Sequence, residues 1–270
     1  MRRYRLTIEY AGTALAGWQR QANAPSVQAH LENALFAMTG ERREIVGAGR
    51  TDAGVHALGQ VAHVDLEKTL APGKLCDGLN FYVRAHGISV LAARYASKDF
   101  HARFSARARH YLYRIVARRA PLALAHERAW WVRQPLDVAA MREAARFLVG
   151  RHDFTSFRAS LCQASSPDRT LDRLDVTAEG EEIHIHAQAR SFLHHQVRNM
   201  TGSLALVGRG KWRPDDMASV LAARDRTRAG PTAPPHGLYL TAVLYGEEER
   251  DPRASDPQTS PPGDKAQARQ

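Results

Sequence analysis

Periodic segments follow the same order twice along this chain, and no other feature constrains the fold as much. Tyr4, Leu6, Ile8 and Tyr10 alternate with Arg3, Arg5, Thr7 and Glu9, the period of a half-buried strand. Pro25 and Ser26 open a helix with Val27, Leu31, Leu35 and Met38 on its apolar face, and Gly40 ends it. Residues 44–48 and 60–66 read as strands, 72–80 as a helix opened by Pro72, and 88–95 as a strand. Strand, helix, strand, strand, helix, strand is the ferredoxin-like order.

The order then returns. Tyr111, Tyr113 and Ile115 alternate through a strand at 111–116, and Asp137 caps a helix that Gly150 closes. A hairpin follows at 171–177 and 183–189, turning at Glu179-Gly180. Leu193, Val197, Met200, Leu204 and Val207 form a helical stripe; a short helix at 215–223 and a strand at 238–245 complete the set. The expected class is therefore α/β (α+β). Two ferredoxin-like lobes, 1–100 and 101–246, carry largely antiparallel mixed sheets around a central basic cleft. Residues 247–270 hold four prolines and no large apolar residue, the composition of a disordered tail.

Between the strands of the first lobe lies Gly47-Ala48-Gly49-Arg50-Thr51-Asp52-Ala53-Gly54-Val55-His56. Three glycines in eight residues mean close backbone approach or positive φ. An isolated acid, Asp52, sits there with Arg50 before it and His56 after it. Asp and Gly are ordinary turn residues, so a surface turn is the plain alternative. An acid set between short apolar strands of a basic chain points instead to a catalytic loop.

Charge supplies the expected class of partner by elementary electrostatics. The 270 residues carry a net +10, and the last 24 contribute −2 of it. Most of the positive charge is arginine, which forks onto phosphates and stacks on bases. A polyanion, nucleic acid first, is the expected partner. The densest segment, 100–119, holds six arginines, four aromatics and no acid. That mixture suits base stacking and phosphate neutralisation, with Arg103 and Arg107 as candidate contacts. Arg190 and Arg198 are phosphate-contact candidates in a second basic stretch, 190–213.

Adjacent His194 and His195, with His184 and His186, raise the question of zinc. Consecutive helical residues point about 100° apart, which argues against a shared ion. No His-Glu-x-x-His or cysteine pair accompanies them; Cys76 and Cys162 read as free thiols. No phosphate-cradling loop, dinucleotide fingerprint or nucleophile elbow occurs either. The expectation is an enzyme without metal or cofactor. No apolar run is long enough to span a bilayer and the start lacks a signal peptide, so a cytoplasmic location is expected, with no membrane partner.

The motif Gly49-Arg50-Thr51-Asp52-Ala53-Gly54-Val55-His56 resembles that of the bacterial tRNA pseudouridine synthase A family. Four further landmarks support the resemblance in order: 17–21 with 26–28, 99–106, 153–158 and 192–199. It covers about residues 4–246. The resemblance implies isomerisation of uridine to pseudouridine at positions 38, 39 and 40 of the tRNA anticodon stem-loop, by a homodimer without cofactor. It makes Asp52 the catalytic aspartate, Arg50 its neighbour in the motif and Tyr111 the tyrosine that packs on the target base. Gln19 is a further substrate-contact candidate. Arg50 is expected to pair with Asp52 and to help displace the base. Residues 81–88 depart from the family pattern, being one residue longer and lacking its Pro and Asp. Two rivals stand beside this reading: a noncatalytic RNA-binding protein or chaperone, and a metal-dependent RNA hydrolase built on the histidines.

Overall fold

A computed structural model describes residues 1–246; the tail expected at 247–270 lies outside the described residues. In chain order the elements are β1 (Arg2–Tyr10), α1 (Val27–Thr39), β2 (Val46–Gly47), β3 (His56–Leu66), α2 (Pro72–Val83) and β4 (Ile88–Tyr95). They continue with β5 (Ala108–Ala117), β6 (Trp130–Val132), α3 (Val138–Arg146), β7 (Gly150–Asp153), β8 (Asp168–Glu179) and β9 (Glu182–Ala189). The last are α4 (Gln196–Gly208), α5 (Asp216–Ala223) and β10 (Leu238–Leu244).

Local chemistry sets the helix ends. The Ser26 side chain accepts from Ala29 N and Gly40 takes φ +77°, so α1 starts and stops where cap residues stand. Asp137 does the same for α3, accepting from Ala140 N at 2.9 Å.

The strands join one sheet in the order β4-β1-β3-β10-β5-β9-β8-β7, with β2 beside β3 and β6 beside β5. In each half the strand order is the ferredoxin-like one: β4-β1-β3 with β2 in the first, β10-β5-β9-β8 in the second. The expected pair of sheets is in fact continuous. The parallel β10–β3 pairing joins them, with Tyr239 opposite His56 and Leu240 opposite Ala57. β2 pairs with the other end of β3, at Ala62 and His63. The loop carrying Asp52 thus leaves β2 and enters β3 where the C-terminal strand docks.

Two apolar cores flank this seam. The first gathers Leu6, Ile8, Leu31, Leu35, Leu75 and Leu79, and also reaches Phe100, Ala102, Ala106 and Leu240. The second gathers Met141, Leu148, Leu171, Ile185, Met200 and Leu204. Half-buried Tyr111 packs against both. Several element edges differ from the sequence reading. β3 begins at His56 rather than 60, because β10 pairs its first residues. α4 begins at Gln196 rather than 193, and the short edge strands β6 and β7 carry too little periodicity to be read. In the atypical 81–88 segment, α2 runs on to Val83, a 3-10 turn spans Arg84–His86, and Gly87 (φ +68°) leads into β4.

Candidate active site

The loop carrying Asp52 is held mainly by backbone and neutral polar groups. Ala48 N donates to Val61 O at 2.7 Å, and Trp18 N to Thr51 O at 3.1 Å. The buried Gln60 amide donates to Gly49 O at 2.8 Å. The Tyr10 and Thr51 hydroxyls meet at 2.8 Å; burial pushes the Tyr10 pKa up to about 12, so this contact stays neutral. Buried His56 accepts Gly12 N–H at Nδ1, which puts its proton on Nε2, where the carbonyls of Glu127 and His236 accept it. Gly17, at φ +90°, allows the approach of the neighbouring loop: a Cβ there would lie 2.3 Å from Thr51 O.

Asp52 projects from this frame toward the second half. Arg198 Nη1, from the first turn of α4, donates to Asp52 Oδ2 at 2.9 Å. Arg198 Nε donates to Ala233 O at 2.8 Å, so the guanidinium is fixed from two sides. His195 Nε2 lies 3.3 Å from Oδ2 and His194 Nε2 3.3 Å from Oδ1. The Asp52 side chain keeps 22 % of its exposure, against 12 % for Arg198. A carboxylate fixed this way can act as a nucleophile or a base on a group brought to its open side.

Two expectations need correction here. Arg50 does not pair with Asp52: it is exposed, and its Nε donates to Gln19 Oε1 at 3.0 Å. Arg198 forms that pair instead. The objection to His194 and His195 sharing a ligand also fails, because neither lies inside α4. His195 precedes it in the left-handed region (φ +62°, ψ +4°), and the two rings sit 4.0 Å apart. The Gln196 side chain accepts Leu193 N–H at 2.8 Å and holds this turn. Burial pulls the His195 pKa down, the Asp52 charge opposes that, and His194, Arg198 and Arg226 add to it. Asp52, His194 and His195 offer three ligand atoms within 4.8 Å of one another.

Tyr111 on β5 meets Phe192 edge-on, with ring centroids 5.2 Å apart. Its pKa is raised, first by burial and then by the charges of Tyr10 and Asp52, so its hydroxyl stays protonated near that carboxylate. Arg103, Arg107 and Arg190 are exposed. Gln19 is half-buried between Arg50 and Gln28.

One site residue escaped the sequence reading. Arg109 is 8 % exposed and donates to Ala48 O at 2.6 Å, to Arg103 O at 2.9 Å and to Arg190 O. It thereby ties the Asp52 loop to both basic stretches. The signal was available: Arg109 alternates in phase with Tyr111 and Tyr113 on β5, so an inward Tyr111 means an inward Arg109.

A family model described as tRNA pseudouridine synthase matches residues 6–105 and 144–246. The tRNA pseudouridine synthase A of Paramagnetospirillum magneticum is 61% identical over 245 residues, covering 91% of this chain and 96% of that protein. The protein of the same name from Afipia carboxidovorans is 59% identical over 245 residues, covering 91% of this chain and 100% of its own length. The Rhizobium meliloti protein of that name is 58% identical over 247 residues, covering 91% and 100%. A solved structure, "Crystal Structure of a Cbf5-Nop10-Gar1 Complex", aligns with a TM-score of 0.30 at 12% identity, over 74% of this chain and 54% of that one; so slight a likeness carries no argument.

The class is thus that of isomerases acting on uridine within tRNA. The chain belongs to the tRNA pseudouridine synthase family. No helix among the described residues is long and apolar enough to cross a membrane.

Proposed function

We propose that this chain converts uridine to pseudouridine at positions 38, 39 and 40 of the tRNA anticodon stem-loop, with Asp52 as the reacting carboxylate. The observation that carries the reading is the ion pair with Arg198. It holds an acid that is still partly exposed at the seam between two halves rich in exposed arginine. The reaction breaks C1′–N1, forms C1′–C5, releases the C5 proton and leaves a proton on N1. It is redox-neutral, so a carboxylate that attacks C1′ or removes a ribose proton suffices without a cofactor.

The target base must leave the stack before Asp52 can reach its sugar. Tyr111 stacks on the displaced ring, and Arg50, held by Gln19, helps displace it. Arg103, Arg107 and Arg190 hold the stem by its phosphates across a basic cleft between the two lobes. Reading shape rather than base edges fits three adjacent targets. The enzyme works as a cytoplasmic homodimer.

The test is to incubate the protein with unmodified tRNAs bearing uridine at 38, 39 or 40, then map pseudouridine by its carbodiimide adducts. Modification at those positions is expected. Modification confined to another arm of the tRNA contradicts the assignment.

A further inference from the structure

We infer that Asp52, His194 and His195 form an inhibitory site for a borderline transition-metal dication such as Zn²⁺. The donor set is two imidazole nitrogens and one carboxylate, which such ions take readily. Ligands about 2.0–2.1 Å from a tetrahedral ion stand about 3.3 Å from one another. His194 Nε2 stands 3.3 Å from Asp52 Oδ1, the oxygen left for the ion, and His195 Nε2 stands 3.3 Å from Oδ2 of the same carboxylate. All three donor atoms fall within 4.8 Å, the one such group among the described residues.

The surroundings preorganise this set. His195 is held in its left-handed conformation, and Gln196 ties down the turn before α4. Arg198 stays on Oδ2 at 2.9 Å while Oδ1 is left for the ion, the outer-shell arrangement that orients a carboxylate ligand. The charges of Arg198 and Arg226 oppose a dication. Occupancy is therefore reversible, and the ion is not a resident cofactor. A bound dication ties up the carboxylate that must meet the ribose, so turnover falls. That consequence rests on the proposed role of Asp52; the binding itself does not.

The experiment titrates metal-free, full-length protein with Zn²⁺ against a chromophoric chelator, in the absence of RNA. His194→Gln, His195→Gln and the double variant are compared with wild type, and His186→Gln serves as a remote control. One zinc per chain is expected in wild type and in His186→Gln. Affinity should fall at least about tenfold in each site variant, no less than loss of an outer-shell partner costs. His194 is exposed, so His194→Gln keeps the test valid even if His195→Gln fails to fold. In parallel, zinc should stop turnover over the same concentration range, and chelation should restore it. Undiminished binding in the double variant, or no binding in wild type, overturns the site. Binding at the site with full turnover overturns the inhibition, and with it the role given to Asp52.

Discussion

The loop that carries Asp52 and the turn that carries His194 and His195 meet at one carboxylate, yet they bring different groups to it. The loop is fixed by backbone hydrogen bonds, buried neutral polar groups and a glycine that permits close approach. The turn is held by the Gln196 side chain and backbone bonds around a left-handed histidine, and the helix after it sends the charged Arg198 across the seam. The acid is placed mainly by residues of its own half, with Arg109 and the Glu127 and His236 carbonyls added from the second. Its cationic partner Arg198 is placed by a helix 146 positions away. Positioning of the acid and its pairing with a cation are therefore separable by mutation.

The largest separation is expected at Arg198. Arg198→Ala should lower single-turnover rates about 100-fold, the scale for losing a preorganised charged partner, while tRNA affinity falls little. A comparable loss of affinity would put Arg198 on the RNA instead.

His63 probes the other region, since its Nδ1 accepts Ala102 N–H and ties β3 to the basic segment. Folding lowers its pKa from 6.5 to about 4, first through burial and then through Arg3 and His101. Between those values the unfolded chain binds the extra proton. Stability present above pH 6.5 is thus lost as pH falls toward 4, by at most about 3 kcal/mol. Urea unfolding of wild type and His63→Gln across that range checks this; equal slopes would contradict it.

Gly17→Ala adds a Cβ against Thr51 O where φ is +90°. A stability loss of about 2 kcal/mol, with kcat falling more than KM changes, is expected. Unchanged unfolding midpoints would mean the loop yields easily and is not locked. The smallest effect should come from His195→Gly. Relief of left-handed strain should raise stability by about 1 kcal/mol while removing one neighbour of Asp52. A destabilised protein would show that the histidine contact outweighs the strain.

The same contrast explains what the sequence revealed. The Asp52 loop was legible because its acid and glycines lie within ten residues, between strands of clear alternation. Both ferredoxin-like halves were legible because Tyr4 to Tyr10 and Tyr111 to Ile115 carry the strand period, and Ser26, Gly40 and Asp137 the helix caps. The fusion of the halves was not, since the β3–β10 pairing joins residues some 180 positions apart and leaves no periodic trace. Standing two residues from Asp52, Arg50 reads in sequence as its partner. In the structure Arg50 turns to Gln19, and Asp52 meets Arg198 across the seam. His194 and His195 read in sequence as helical because the apolar stripe begins at Leu193, whereas the helix itself starts three residues later.

The most direct measurement follows tritium release from tRNA labelled at C5 of uridine, using wild type and Asp52→Ala without added metal. C5 loses its hydrogen when it becomes the glycosidic carbon. Release by wild type and none by Asp52→Ala, with tRNA binding retained, is the predicted result. Release by Asp52→Ala at the wild-type rate would contradict the placement of the chemistry at this carboxylate.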